Sequence, residues 1–163
     1  MIVSEQTDED WPEVWRVLKP AFRDGLSYPL PTDVQEKEAF AYWLKSDGFN
    51  GVARDVDGKI LGVYFLRPDQ GGPGAHICNA GYVVAEEARG RGVGTAMCLE
   101  SQTRAVALGF RGMKFNLVVT SNDYAVRAWQ KAGMEIIATT PGAFLLPDGH
   151  YTDAYIMFKR LSQ

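Results

Sequence analysis

Val83-Val84-Ala85-Glu86-Glu87-Ala88-Arg89-Gly90-Arg91-Gly92-Val93-Gly94-Thr95 is the stretch on which the fold turns. An apolar run stops, three alternating glycines follow, and over 95–108 the pattern becomes helical. Strand, glycine loop and helix in that order gather open backbone N–H groups and the positive end of a helix dipole around one small space, which is an anion site. Glycine suits such a loop because a side chain would hold the anion off the backbone, and because the turn uses dihedrals closed to other residues. The P-loop pattern GxxxxGK[ST] is not met, since no Lys-Ser/Thr pair follows. The dinucleotide pattern GxGxxG fails as well: Gly90, Gly92 and Gly94 are spaced GxGxG, and Thr95 stands where the last glycine belongs. A glycine-rich turn that only joins strand to helix is the alternative. Arg89 and Arg91 argue against it, because two guanidiniums beside open amides suit a pyrophosphate.

Upstream, 75–85 is predicted as a long strand, preceded by the Gly- and Pro-rich loop 68–74. Asp57-Gly58, between 51–56 and 59–67, marks a hairpin. Thr7 three residues before Asp10 approximates a capping box, and Trp11, Val14, Trp15, Leu18 and Phe22 recur at helical spacing until Gly25. After the loop 27–31, Asp33 with Glu36 is expected to cap a second helix, anchored by Phe40, Trp43 and Leu44 and ended by Asp47-Gly48. Downstream, Gly109 closes the helix that follows the glycine loop, and 114–120 is a strand. Asn122 caps a short helix through Lys131, which Gly133 closes. The last strands are 135–139 and 152–159, with 141–149 as the loop between them. The order β-α-α-β-β-β-α-β-α-β-β predicts a single α/β domain over 1–163, one mixed sheet with helices on its faces.

At 163 residues, 46% hydrophobic and 23% charged, the chain has the make-up of one globular domain. A formal charge of −3 and the lack of a basic stripe argue against a nucleic-acid partner. No apolar run approaches the roughly 18 residues of a membrane helix, and Met1-Ile2-Val3 leads into acidic sequence rather than a signal peptide. A cytoplasmic protein without membrane partners is therefore expected, and a homodimer is left open. Cys78 and Cys98 fall in an expected strand and helix and read as buried thiols. His76 and His150 are too isolated to hold a metal, so none is expected.

Arg89, Gly92 and Gly94 match R/Q-x-x-G-x-G/A, the signature between the fourth strand and third helix of the GCN5-related N-acetyltransferases, and the chain resembles that family. Asn122-Asp123-Tyr124-Ala125, continuing to Trp129-Gln130-Lys131-Ala132-Gly133-Met134, is similar to its Asn-x-x-Ala...Tyr-Glu-Lys-x-Gly-Phe segment, and the element order agrees to about residue 160. The resemblance implies that acetyl-CoA lies between splayed central strands, with its pyrophosphate on Arg89, Gly90, Arg91, Gly92, Val93, Gly94 and Thr95. It implies further that the pantetheine arm pairs with Tyr82, Val83 and Val84, and that Asn122, Ala125 and Trp129 touch the cofactor. An amine then attacks the thioester directly, helped by strand amides, so neither cysteine need be catalytic. Where many members carry a tyrosine that protonates the departing thiolate, this chain has Trp129, whose indole N–H donates a hydrogen bond but is no practical acid. Trp129 is also readable as a core residue beside Ala125 and Val126. The acid is then Tyr124, Tyr82 or water, or the thiolate leaves unprotonated.

Asn79 and Asn116 each interrupt an apolar strand. A buried primary amide without partners costs about 1 to 3 kcal/mol, so each should find one, in the protein or in a ligand between the strands. With Asn122, the pair is similar to a subgroup of fungal acetyltransferases acting on azetidine-2-carboxylate, whose matching positions lie at the acceptor site. That resemblance implies that Asn79 and Asn116 orient the acceptor, and it favours a small-molecule amine resembling an amino acid. Tyr28 and Arg23, between the first helices, are candidates for the pocket wall or ordinary surface residues. Acetylation of a protein N-terminus or lysine needs an open groove, which 141–149 and the prolines near residue 30 can wall off. A noncatalytic acetyl-CoA-binding module is the remaining reading.

Overall fold

The computed structural model describes residues 1–45 and 47–162. Strand β1 (Ile2–Glu5) leads to Thr7, whose N–H donates to the Asp10 carboxylate at 2.8 Å, and the capping box forms on a short turn that runs into α1 (Trp11–Asp24). That helix buries Val14, Val17, Leu18, Ala21 and Phe22, the face picked out by helical spacing, and stops at Gly25 with φ 65°. Helix α2 (Glu36–Trp43) departs from expectation at both ends. Gln35 rather than Asp33 sits at its N-cap, and the Gln35 amide donates to the Asp33 carbonyl. At the other end Leu44 is already extended, while Phe40 lies on the outer face, edge-on to Trp11.

Strands β2 (Phe49–Arg54), β3 (Ile60–Pro68) and β4 (Ile77–Val84) form an antiparallel meander. Helix α3 (Val93–Ala107) carries the chain to β5 (Gly112–Val119), parallel to β4; α4 (Asp123–Lys131) follows, then the hairpin of β6 (Glu135–Leu145) and β7 (Tyr151–Arg160). The sheet order is β1-β2-β3-β4-β5-β7-β6, so the expected succession of elements holds. Strand β6 is longer than expected and absorbs Pro141, so the connecting loop is shorter than 141–149. An edge strand tolerates proline because the missing N–H need not break a ladder, and the pairing with β7 slips between Thr140 and Phe144.

The β4–β5 ladder is short. It pairs Ile77 with Gly112, Cys78 with Met113 and Asn79 with Lys114, and then ends. From there β5 follows β7 instead, with a bulge between Phe115 and Val118 that takes up Asn116 and Leu117. The central strands are therefore splayed. Side chains alternate across the sheet. Gly81 packs beneath Phe65 and Tyr28 on the face covered by α1, whereas Tyr82 bonds to Ser101 of α3 on the other. No described helix is long and apolar enough to cross a membrane, and the described residues hold no cluster of three or more metal-ligating side chains.

A buried polar knot fixes α3 against α4. Gln102 of α3 donates to the Ala132 carbonyl at 2.9 Å and accepts from Lys159 Nζ of β7 at 2.5 Å; Lys159 also donates to Ala132 at 3.0 Å. Gln102→Leu keeps roughly the same volume but strips the ammonium of one acceptor and Ala132 of one donor. Urea unfolding should show a loss of about 1 to 3 kcal/mol with an unchanged m-value. A loss under about 0.5 kcal/mol would mean that the knot does not hold the helices together.

Candidate active site

Backbone parity decides what the gap between β4 and β5 offers. The Ala85 N–H donates toward β3, to Leu61, and the His76 carbonyl accepts from the β5 side, from Arg111, both at 2.8 Å. Backbone direction alternates along a strand, so Asn79, Gly81 and Val83 turn their polar groups to β3, while Ala80, Tyr82 and Val84 turn theirs toward β5. Of the three residues expected to pair with a pantetheine arm, Tyr82 and Val84 are thus aimed into the gap and Val83 is not. The Tyr82 carbonyl receives the Tyr28 hydroxyl at 3.1 Å.

The glycine loop closes one end of the gap. Gly90 and Gly92 have φ of 76° and 77°, a region that L side chains adopt only under strain, and a Cβ on either would meet nothing within 4 Å. Space in front of the loop is open. The Ala96 N–H reaches the Gly92 carbonyl at 3.0 Å, so Val93, Gly94 and Thr95 carry the open amides of the first turn of α3. Arg89 lines the adjoining cavity, and Arg91 stands exposed beside it; neither has a carboxylate partner among the described residues. The Gly90 N–H donates to the Tyr124 hydroxyl at 2.7 Å. Arg127 and Lys131, one turn apart on α4, join Gly90, Gly92, Thr95, Tyr124 and one carboxylate, Asp123, around a recess of about 400 Å³. Sequence reasoning missed this basic pair, and its only local signal was the i, i+4 spacing on a capped helix.

Two further cavities adjoin one another along a shared wall. The first, about 460 Å³, takes in Val84, Arg89, Gly94 and Leu146; the second, about 270 Å³, is bounded by Tyr28, Tyr42, Phe65, Asn79 and Asn116. Ser27, Tyr82, Asn122, Ala125 and Trp129 border both. Trp129 packs 4.6 Å from the Tyr82 ring and 5.7 Å from Phe115, so it is a core residue and a wall of the junction at once. The Tyr82 hydroxyl turns away to Ser101 at 2.7 Å, where burial holds it well above the usual tyrosine range, which removes it as an acid. Tyr124 stands at the glycine loop and borders the first cavity and the recess, not the second cavity. Burial pushes the thiols of Cys78 up to about 12 and Cys98 up to about 11, so neither is a nucleophile at neutral pH.

Both strand asparagines line the second cavity, each with one of its two N–H donors already engaged. Asn79 Nδ2 donates to the Lys114 carbonyl at 2.9 Å, on the last rung before the strands part, and Asn116 Nδ2 donates to Asp69 at 2.6 Å. Asn116 is exposed rather than buried, because the bulge turns it out of the strand. A carbonyl and a carboxylate only accept, so these partners fix the amide orientation and leave each Oδ1 and one N–H for a ligand. Asn122 Oδ1 accepts from the Ala125 N–H at 3.2 Å, the expected helix cap. Arg23 lies outside both cavities: it donates to the Thr32 carbonyl at 2.8 Å and stacks over Trp15.

The model of the acetyltransferase (GNAT) family matches residues 11–134, which include the glycine loop and both walls of the gap. The N-acetyltransferase aca1 of Schizosaccharomyces pombe is 28% identical over 149 residues, 81% of this chain and 71% of that protein. The structure of a GCN5-related N-acetyltransferase from Kribbella flavida is 36% identical and superposes with a TM-score of 0.92, over 98% of this chain and 97% of its own. A GNAT superfamily phosphinothricin acetyltransferase from Sinorhizobium meliloti, solved in complex with AcCoA, shares the fold at 19% identity and a TM-score of 0.87, over 99% of this chain and 88% of its own. With a glycine loop, splayed central strands and a match over most of its length, the chain belongs to the GCN5-related N-acetyltransferase (GNAT) family.

Proposed function

We propose that the protein transfers an acetyl group from acetyl-CoA to the amine of a small, amino-acid-like molecule. The observation that carries this reading is the junction of two cavities at Tyr82, Asn122, Ala125 and Trp129, one reaching back to the glycine loop and the other ending at Asn79 and Asn116. Acetyl-CoA supplies an activated acyl group as a thioester. The residues present fit it: open amides of Val93, Gly94 and Thr95 with Arg89 and Arg91 suit a pyrophosphate, and Arg127 and Lys131 add positive charge beside them. Tyr82 and Val84 present backbone groups to an extended arm as an added strand requires. An N–H held at that edge is preorganised to polarise an acyl oxygen.

On the acceptor side, the oxygens of Asn79 and Asn116 accept N–H bonds, which holds an amine and aims its lone pair. The Tyr82 hydroxyl is bonded to Ser101 and that of Tyr28 donates to the Tyr82 carbonyl, so the thiolate departs as such, tolerable for a thiol with an ordinary pKa near about 8.5. The size of the second cavity, about 270 Å³ and walled by Tyr28, Pro29 and Tyr42, supports a compact acceptor of the kind that azetidine-2-carboxylate exemplifies over an extended peptide. Leu146 of the β6–β7 turn lines the first cavity instead, and Pro147 beside it packs close to Gly25. Thiol release from acetyl-CoA with a panel of amines tests the reading: small amino acids should turn over and peptides should not, and the reverse order would move the acceptor to a polypeptide.

Two substitutions probe the parts. Gly92→Val should fold, because its side chain meets open space, at a backbone cost of about 1 to 2 kcal/mol. It should lose at least about tenfold in acetyl-CoA affinity by calorimetry, roughly one charge-assisted bond's worth. Unchanged affinity would detach the loop from the cofactor. Trp129→Phe should keep kcat within about threefold, and Trp129→Tyr should not raise it, since general-acid help worth about 100-fold is not being used. A clear gain in Trp129→Tyr would show that thiolate protonation limits the native protein.

A further inference from the structure

Arg67 is the cross-strand partner of Asn79, so the two side chains share one face of the sheet. Its guanidinium lies 3.8 Å from the Phe65 ring centroid and 5.1 Å from that of Tyr42. Phe65, Tyr42 and Asn79 line the second cavity, and Arg67, outside that lining, adjoins these three wall residues. Nη1 donates to the Tyr42 carbonyl at 3.0 Å. The Tyr42 phenol is close enough that the guanidinium partly opposes the rise that burial causes in its pKa. The carboxylate on the same face, Asp69, is engaged by Asn116 at 2.6 Å and Lys114 at 3.6 Å. Among the described residues Arg67 has no carboxylate partner. A half-buried guanidinium without a counter-ion carries a desolvation cost that a bound anion would relieve.

The asparagines are weak receptors for such an anion. Each spends one of its two N–H groups on the protein, and the remaining N–H is neutral and shares its amide with an oxygen that repels negative charge, so the pair suits the nitrogen end of an acceptor better than its anionic end. We propose that Arg67, with the Tyr42 phenol, anchors a carboxylate on the acceptor, so that the substrate class is a carboxylate-bearing amine rather than a bare amine. The planar guanidinium matches a carboxylate with two parallel bonds, and stacking on Phe65 holds the fork in place. Arg67 and Asn79 stand on adjacent strands, about 5 Å apart at the backbone, so one small molecule reaches both. This inference rests on the reading of the second cavity as the acceptor site, and the two fail separately.

Steady-state kinetics of the full chain on an amino acid and on its carboxamide, equal in size but lacking the charge, test the anchor. The unsubstituted protein should favour the acid. Arg67→Gln should raise KM for the acid about tenfold to hundredfold, abolish the preference for acid over amide, and leave KM for acetyl-CoA within about twofold. Arg67→Lys should restore part of the preference, because it returns the charge without the fork. Equal turnover of acid and amide by the unsubstituted protein, or an equal slowing of both in Arg67→Gln, overturns the anchor and leaves the acceptor cavity standing. Turnover of peptides alone, or of no amine, overturns both.

Discussion

Backbone N–H and C=O groups need partners, and β5 stops supplying them to β4 after the rung of Asn79 and Lys114. The bulge at Asn116 and Leu117 keeps β5 on β7, so the separation is built into strand pairing and does not depend on a loop. The candidate site lies along the resulting gap. Tyr82 and Val84 edge it, the glycine loop closes one end, and the asparagines sit where it opens. Asn79 has a double position: its donor secures the last rung and its oxygen faces the cavity that begins there.

Charge is distributed to match. The chain is net negative by 3, yet Arg89 and Arg91 belong to the glycine loop and Arg127 and Lys131 outnumber Asp123 in the recess before it, where α3 also presents its open amides. Positive charge and helix dipole then act on the same small volume, which favours an anion locally without making the whole surface basic. The knot of Gln102, Lys159 and Ala132 holds α4 beside α3 and so fixes the spacing of those cations from the loop. At the far end of the gap Asp69 pairs with Lys114, while Arg67, beside the second cavity, has no carboxylate partner among the described residues.

Much of the fold was legible because its signals are local. Helical spacing through Phe22, the Asn122 cap, the Gly25, Gly109 and Gly133 terminators and the glycine loop each depend on a few neighbouring residues. Misreadings arose where tertiary context overrides them. Asp33 looks like a cap, but the helix starts after Gln35; Pro141 looks like a loop residue, but an irregular edge strand accommodates it. For the site, the motif residues were visible, while the placing of Tyr124 on Gly90, of Arg127 and Lys131 around the recess, and of Arg67 over Phe65 depends on contacts between distant segments. No pattern in the strand containing Arg67 distinguishes it from a surface residue. Conversely, Arg23 looked well placed between two helices and is occupied by Thr32 and Trp15.

The central claim is that the open edge of β4 receives acetyl-CoA as an added strand. Residue-resolved amide hydrogen exchange, with and without saturating acetyl-CoA, examines that edge directly. The amides of Tyr82 and Val84, which point into the gap, should slow markedly when acetyl-CoA is added, by more than about tenfold, while that of Val83, already turned to β3, should change far less. Uniform slowing of all three would indicate only a general gain in stability. Unchanged exchange at Tyr82 and Val84, under conditions where acetyl-CoA is bound, would contradict the account.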